Sequence, residues 1–440
     1  MRQHQVLELD ARGIAHASTV LATYLPAFSL GLQPITARRL LVPGSTLDAL
    51  AIEYGGAHVP AILAAAGAVA AQAVDDSGAI ALLRLRDRPA LPARPTPAPV
   101  AGVDWHLDAI NAPAAWAMLG GAGAIAWGGV RVGHIDTGYT RHPAFGFTTG
   151  GGGTNAWLDT AQAQTFFAAH AELDDPGPGG GVDPLAFSMD GHGTRTAATI
   201  CGFAPNAAGG AYFGVAPKVP LVPVRIANHV WINHAQEQFA QAVDHLIDRA
   251  GVAVISLSMG IFLSAIRRRL RRALDKAYER GVIVVCAAGN VVQDVVAPAR
   301  LNRTLAIGGV TRLDGQLKPW SGSSHGPEVE WSGPAEGIRR AESRPDGSMV
   351  YSGGGDGTSY ATAMTAGAAA LWLARHGDAA LATQYPLPWQ RIEAFKALAR
   401  QTVRVPPGWQ PGSFGDGVLD VAALLAAPLP AAAATPDAQA

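Results

Sequence analysis

The sequence predicts an α/β fold: a doubly wound, mostly parallel sheet with helices on both faces, preceded by a small N-terminal region. Three observations carry this. Short, wholly apolar, β-branched runs such as Gly-Val-Ile-Val-Val-Cys-Ala at 281–287 have the composition of strands buried on both faces. Amphipathic helical patterns at 233–249 and 263–280 alternate with such runs, as helices alternate with strands in a parallel sheet. Residues able to do chemistry fall where strands end or helices begin, which is where open α/β sheets place their sites.

In chain order, residues 1–87 form a region of their own. Ser45 or Thr46 can cap a helix reaching about Tyr54, residues 59–74 read as a second, Ala-rich helix, and 79–86 as a strand. A proline-dense stretch at 88–102 predicts an extended, semi-rigid linker. Residues 130–135 form a strand that delivers Asp136 at its end. The Gly-rich stretch 146–188, with Glu172, Asp174, Asp175 and Asp183, reads as a solvated loop, with basic substrates or calcium as the alternative roles for its carboxylates. An Ala-rich helix opens at His192. The loop at 203–213 offers only Asn206 as a side-chain calcium ligand, against the six or more oxygens calcium takes, so calcium there would depend on backbone carbonyls. Strands follow at 221–226, 252–257, 281–287 and 304–310, and a second Ala-rich helix opens at Ser359. The tail from 426 is low-complexity and expected to be disordered.

The chain has 440 residues, of which 49% are hydrophobic, enough for a large core. Its net charge of -1 points to no obligatory nucleic-acid or anionic-membrane partner. The arginine-rich run at 266–272 lacks interleaved aromatics and reads as a solvated helix face. Two cysteines, Cys201 and Cys286, are too few for a disulfide framework, and Cys286 lies in an apolar strand as a buried thiol. The N-terminus lacks a secretory profile, and the most apolar stretch is shorter than the ~20 residues of a membrane helix. The expectation is a cytoplasmic location, or export without a recognisable signal. Oligomeric state is not legible.

Asp136 sits in Val-Gly-His-Ile-Asp-Thr-Gly, His192 in Asp-Gly-His-Gly-Thr-Arg-Thr-Ala, and Ser359 in Gly-Thr-Ser-Tyr-Ala. A serine hydroxyl needs an adjacent base to become a nucleophile. Histidine titrates in the range that suits that base, and a buried carboxylate fixes its tautomer. Taken singly, each motif has an ordinary reading: a turn, a flexible loop, a helix cap. Together and in this order, they arise by chance on the order of once in ten thousand chains of this composition. Asn290 follows the apolar strand 281–287 in Ala-Ala-Gly-Asn, where its amide could stabilise a developing oxyanion.

On these motifs the chain resembles the subtilisin-like serine proteases, with Asp, His and Ser in that family's order. The resemblance covers about 103–425, from Val-Asp-Trp-His-Leu-Asp at 103–108 to Phe-Gly-Asp-Gly-Val-Leu-Asp at 414–420. It implies a serine endopeptidase of peptide or protein substrates, with Asp136, His192 and Ser359 as the triad, Asn290 as oxyanion donor and no cofactor for the chemistry. It further implies that Ser258, Met259 and Gly260 line one side of the cleft, with Ala287, Ala288 and Gly289 near the pocket for the residue before the scissile bond. Residues 1–87 would then be either a prosegment or an accessory domain. The chain departs from the family's usual pattern at Ala363, Arg195 and Ala198, where proline, histidine and glycine are frequent. Two alternatives stand beside this reading. One is a non-catalytic, peptide-binding relative. The other is a two-aspartate protease pairing Asp136 with Asp76, which would leave the histidine and serine motifs unexplained. A histidine base predicts loss of activity on acidification; a rate unchanged down to about pH 4 would contradict it.

Overall fold

The computed structural model describes residues 104–148, 152–153, 157–166, 180–185, 189–207, 209–232, 235–261, 266–290 and 294–438, and the backbone of five strands ahead of them. Those strands are β1 (Arg2–Leu9), β2 (Thr36–Leu41), β3 (Asp48–Gly55), β4 (Ala68–Ala73) and β5 (Ala81–Leu85). They form one sheet in the order β2-β3-β1-β5-β4, with only the β1–β5 pair parallel. The helix expected from 45 to 54 is therefore replaced by strand β3, and the end of the helix expected over 59–74 by β4. Leu50, Ile52 and Tyr54 alternate with Ala51 and Glu53, a period of two that suits a strand paired on both edges. The linker at 88–102 lies outside the described residues.

The main sheet is built from β6 (Val132–Asp136), β7 (Gln164–Thr165), β10 (Leu221–Arg225), β11 (Val254–Leu257), β12 (Ile283–Ala287), β13 (Leu305–Leu313), β14 (Gln316–Pro319) and β15 (Val329–Pro334). Its order is β14-β13-β12-β11-β6-β10-β7, with β15 also pairing β13, and every pairing except β13–β14 is parallel. Two short antiparallel pairs complete the strands: β8 (Phe203–Ala204) with β9 (Tyr212–Phe213), and β16 (Ile338–Ser343) with β17 (Met349–Gly355).

Successive residues of a strand point to opposite faces, and here both faces are covered. Ile283 and Val285 of β12 join one core with Ala197, Ile200, Met364, Leu371 and Trp372. Val284 and Cys286 join the other with Phe239, Val243, Leu246, Leu270 and Leu274. The second layer consists of helices Gln236–Asp248 and Arg268–Glu279, each with its apolar stripe inward. Gly133 lets the first of these approach the sheet: a Cβ there would lie 2.7 Å from a Leu246 methyl. Arg267, Arg268, Arg269, Arg271 and Arg272 face solvent, and Arg269 and Lys276 pair with Asp244. Both cysteines are buried free thiols, pushed far above the usual thiol range by burial.

The structure departs from the sequence expectation at two further places. Asp183 is not a solvated loop carboxylate; it is 5% exposed and bonded on several sides. The tail is not disordered up to Ala438. Tyr385 Oη donates to Pro430 O (2.9 Å), Arg303 Nε donates to Ala438 O (3.1 Å), and the Ala438 N–H donates to Tyr278 Oη (2.9 Å). The opening and closing segments also meet, through Asn111 Nδ2 and Asp420 Oδ2 at 2.6 Å. Among the described residues, no helix is long and apolar enough to cross a membrane.

Candidate active site

Asp136 is the last residue of β6, at the carboxyl end of the sheet, and is wholly buried. His192 opens helix His192–Cys201, and Ser359 is the second residue of helix Thr358–His376. The two helices and the strand bring the three side chains together across 223 positions of sequence, from 136 to 359. His192 Nδ1 lies 2.7 Å from Asp136 Oδ1, and His192 Nε2 lies 3.2 Å from Ser359 Oγ. Close approach of the first two motifs depends on Gly193, where a Cβ would fall 2.0 Å from the Gly138 carbonyl oxygen.

Burial alone would raise the Asp136 pKa. The neighbouring His192, by charge and hydrogen bond, and the Thr137 N–H (2.8 Å) outweigh it and hold the carboxyl below its ordinary value. The second carboxylate oxygen accepts from Thr196 Oγ1 at 3.3 Å. Thr196 in turn stands 2.9 Å from His134 Nε2, which is itself 3.7 Å from Asp136 Oδ2. Burial lowers His134 to about 4, so at neutral pH this second imidazole is uncharged.

Asp183 ties the aspartate motif to the histidine motif. It accepts from Thr137 Oγ1 (2.8 Å), from the Gly191 N–H (2.9 Å) and from the Leu185 N–H (3.0 Å), while Thr137 Oγ1 accepts from the Gly193 N–H (3.0 Å). Burial raises the Asp183 pKa against these bonds.

Asn290 lies just beyond β12. Its carbonyl oxygen is taken by Thr358, from the backbone N–H at 2.8 Å and the hydroxyl at 2.7 Å. That fixes the amide rotamer and turns Nδ2 toward the turn at Gly357, ahead of Ser359. The Ser359 N–H is among the four a helix leaves unpaired at its start. Ser258 Oγ donates to Ser359 O at 3.0 Å, and Ser258 O stands 3.5 Å from Ser359 Oγ. Ser258, Met259, Gly260, Ala287 and Gly289 line one concavity with Asn290 and Ser359. Ala288 does not: it belongs to the core, its backbone bonded to Ile307 and Val296.

The departures at Ala363, Arg195 and Ala198 leave both helices continuous, and Arg195 donates to Asp190 O at 2.7 Å. Sequence reasoning missed His134, Thr196 and Thr358, although a histidine inside an otherwise apolar buried strand is a visible signal. Asp76 lies outside the described residues. Among the described residues, no three His, Cys, Asp or Glu side chains converge to hold a metal.

The subtilase family model matches residues 128–416. Over 218 residues the chain is 31% identical to subtilisin DY of Bacillus licheniformis, covering 48% of this chain and 73% of that protein. It is 28% identical over 270 residues to subtilisin BL of Lederbergia lenta, covering 61% and 83%. Against the major intracellular serine protease of Bacillus subtilis (strain 168) it is 29% identical and spans only 49% of that protein's length. In fold it is similar to fervidolysin from Fervidobacterium pennivorans, with a TM-score of 0.57, 18% identity, and coverage of 98% of this chain and 61% of that one. It is also similar to MycP1 without its N-terminal propeptide, with a TM-score of 0.52, 23% identity, and coverage of 74% and 98%. With about two thirds of its length in the family match and the parallel sheet that match implies, the chain belongs to the subtilase family, a family of serine endopeptidases.

Proposed function

We propose that this chain hydrolyses peptide bonds in peptide or protein substrates through an acyl-enzyme on Ser359. His192 takes the Ser359 proton through Nε2 as the hydroxyl attacks the scissile carbonyl. Asp136 holds the opposite ring nitrogen and stabilises the imidazolium that forms. The Asn290 amide and the Ser359 N–H receive the oxyanion. His192 then protonates the leaving amine, and water, deprotonated by the same ring, releases the acyl group. No step uses a cofactor. The observation that carries this reading is the single imidazole standing 2.7 Å from a buried carboxylate and 3.2 Å from a serine hydroxyl.

Val296 supports a preference for a small residue before the scissile bond. It stands between the two walls of the concavity: a Cβ on Gly260 would meet its methyl at 2.6 Å, and one on Gly289 at 3.1 Å. The space a large side chain would need is therefore filled. Casein and short peptide amides test the activity. Ser359→Ala and His192→Ala are each expected to abolish turnover while leaving the far-UV circular dichroism unchanged. Undiminished hydrolysis by either variant would refute the assignment.

A further inference from the structure

We propose that residues 230–232 form a strap that limits how much of a substrate's main chain the enzyme can read. Extended peptides bind by adding a strand to an exposed edge. Along one edge of a strand, only alternate residues present their N–H and C=O together. Past β11, the edge that faces Ser359 is offered by Ser258 and then by Gly260. Ser258 O lies 3.5 Å from Ser359 Oγ, so the residue bearing the scissile carbonyl faces Ser258. In an antiparallel addition, the residue facing Gly260 is then the third before the scissile bond.

That second docking point is already occupied. The Gly260 N–H donates to Val230 O at 2.8 Å, and the Ile232 N–H donates to Gly260 O at 2.9 Å. Trp231 thus bridges Gly260 as a parallel partner. At the next residue, Ile261 exchanges both of its backbone bonds with Ala297 on the opposite edge. The strap is fixed at both ends. Ile232 is fully buried in the core of the outer helix layer, with its carbonyl accepting from the Ala235 N–H. At the other end Arg225, also fully buried, donates to Asn228 Oδ1 at 2.6 Å. Val230 and Trp231 face the same concavity as Ser258 and Asn290. Main-chain recognition therefore stops at the second residue, and the chain ahead of it must turn away. Suitable substrates carry a bend or a free N-terminus about two residues before the cleaved bond.

This inference rests on Ser359 being the nucleophile, and the test separates the two. N-acetylated alanine peptides of one to four residues, as p-nitroanilides, give kcat/KM against length. The wild-type enzyme should gain from one residue to two and then stay within about threefold. A Val230→Gly/Trp231→Gly variant, with the strap loosened, should gain tenfold or more from two residues to four, roughly the worth of two backbone hydrogen bonds. A steep rise in the wild type, or no rise in the variant, would overturn the strap. Hydrogen exchange on Ser359→Ala reads the strap without catalysis: the Ile232 and Gly260 amides should be protected in the free protein, and rapid exchange at both would overturn it. Failure of Ser359 as nucleophile would appear instead as no hydrolysis at any length, with the two amides still protected.

Discussion

Among the described residues, burial holds His106, His134 and His142 uncharged, which makes the domain sensitive to acid. Burial lowers His134 and His142 to about 4 and His106 to about 3, against 6.5 for a free imidazole. Arg339 adds to the effect at His106, and at His134 the Asp136 carboxylate opposes it in part. The folded values lie below the unfolded value, so between pH 6.5 and 4 the unfolded chain binds more protons. Stability is therefore lost as pH falls from 6.5, and the loss is complete below the folded values. Each such histidine costs about 1.4 kcal/mol per pH unit in that window, so the three together remove about 6 kcal/mol between pH 7 and pH 5. That is comparable to the roughly 5–15 kcal/mol that holds a domain folded. Asp104 and Asp183, pushed upward by burial, take up protons in the folded state and offset part of the loss at lower pH. The assay is urea unfolding of Ser359→Ala protein, which avoids self-digestion, at pH 7, 6 and 5. His134→Val should remove about a third of the slope. Stability constant to within about 2 kcal/mol from pH 7 to 5 would refute the reasoning, because the three imidazoles would then have to be charged or hydrated in the fold.

Other outcomes follow from the same geometry. Removing one oxyanion donor costs about 10²–10³ in kcat, so Asn290→Ala, which deletes the proposed donor, should lose a similar amount with KM little changed. Val296→Gly should open the space between Gly260 and Gly289 and move preference from alanine toward leucine or phenylalanine in a p-nitroanilide series. An unchanged preference would mean that another residue sets the pocket. Asp183→Ala leaves the Thr137 hydroxyl and the Gly191 N–H without their acceptor. It should cost about 1–3 kcal/mol in stability by urea unfolding and lower kcat more than it raises KM.

Much of this architecture can be read from the chain. The buried strands carry β-branched, apolar runs that few other structures favour, so β6, β10, β11, β12 and β13 start within about two residues of where the runs begin. Asp136, His192 and Ser359 stand out because their neighbours are small: Gly193 is required where two backbones nearly touch. Elsewhere the signal was absent or ambiguous. The stretch holding Leu50, Ile52 and Tyr54 is short enough to fit a helix or a strand, and pairing with two neighbouring strands decides it. Asp183 looks like any acidic loop residue, because its partners Thr137 and Gly191 are set by the fold rather than by sequence proximity. The alanine- and proline-rich tail has no periodicity of its own, and is held by Tyr278, Arg303 and Tyr385 from three other segments. Ala288 sits among pocket residues in sequence, yet strand alternation turns it into the core.

A fluorophosphonate probe reads the proton relay most directly, since it reacts only with a serine whose hydroxyl is activated. Peptide mapping of the labelled protein should place one adduct per chain on Ser359, with labelling absent in Ser359→Ala and slowed by orders of magnitude in His192→Ala. An adduct on another residue, or equal labelling rates with and without the His192 ring, would contradict the account.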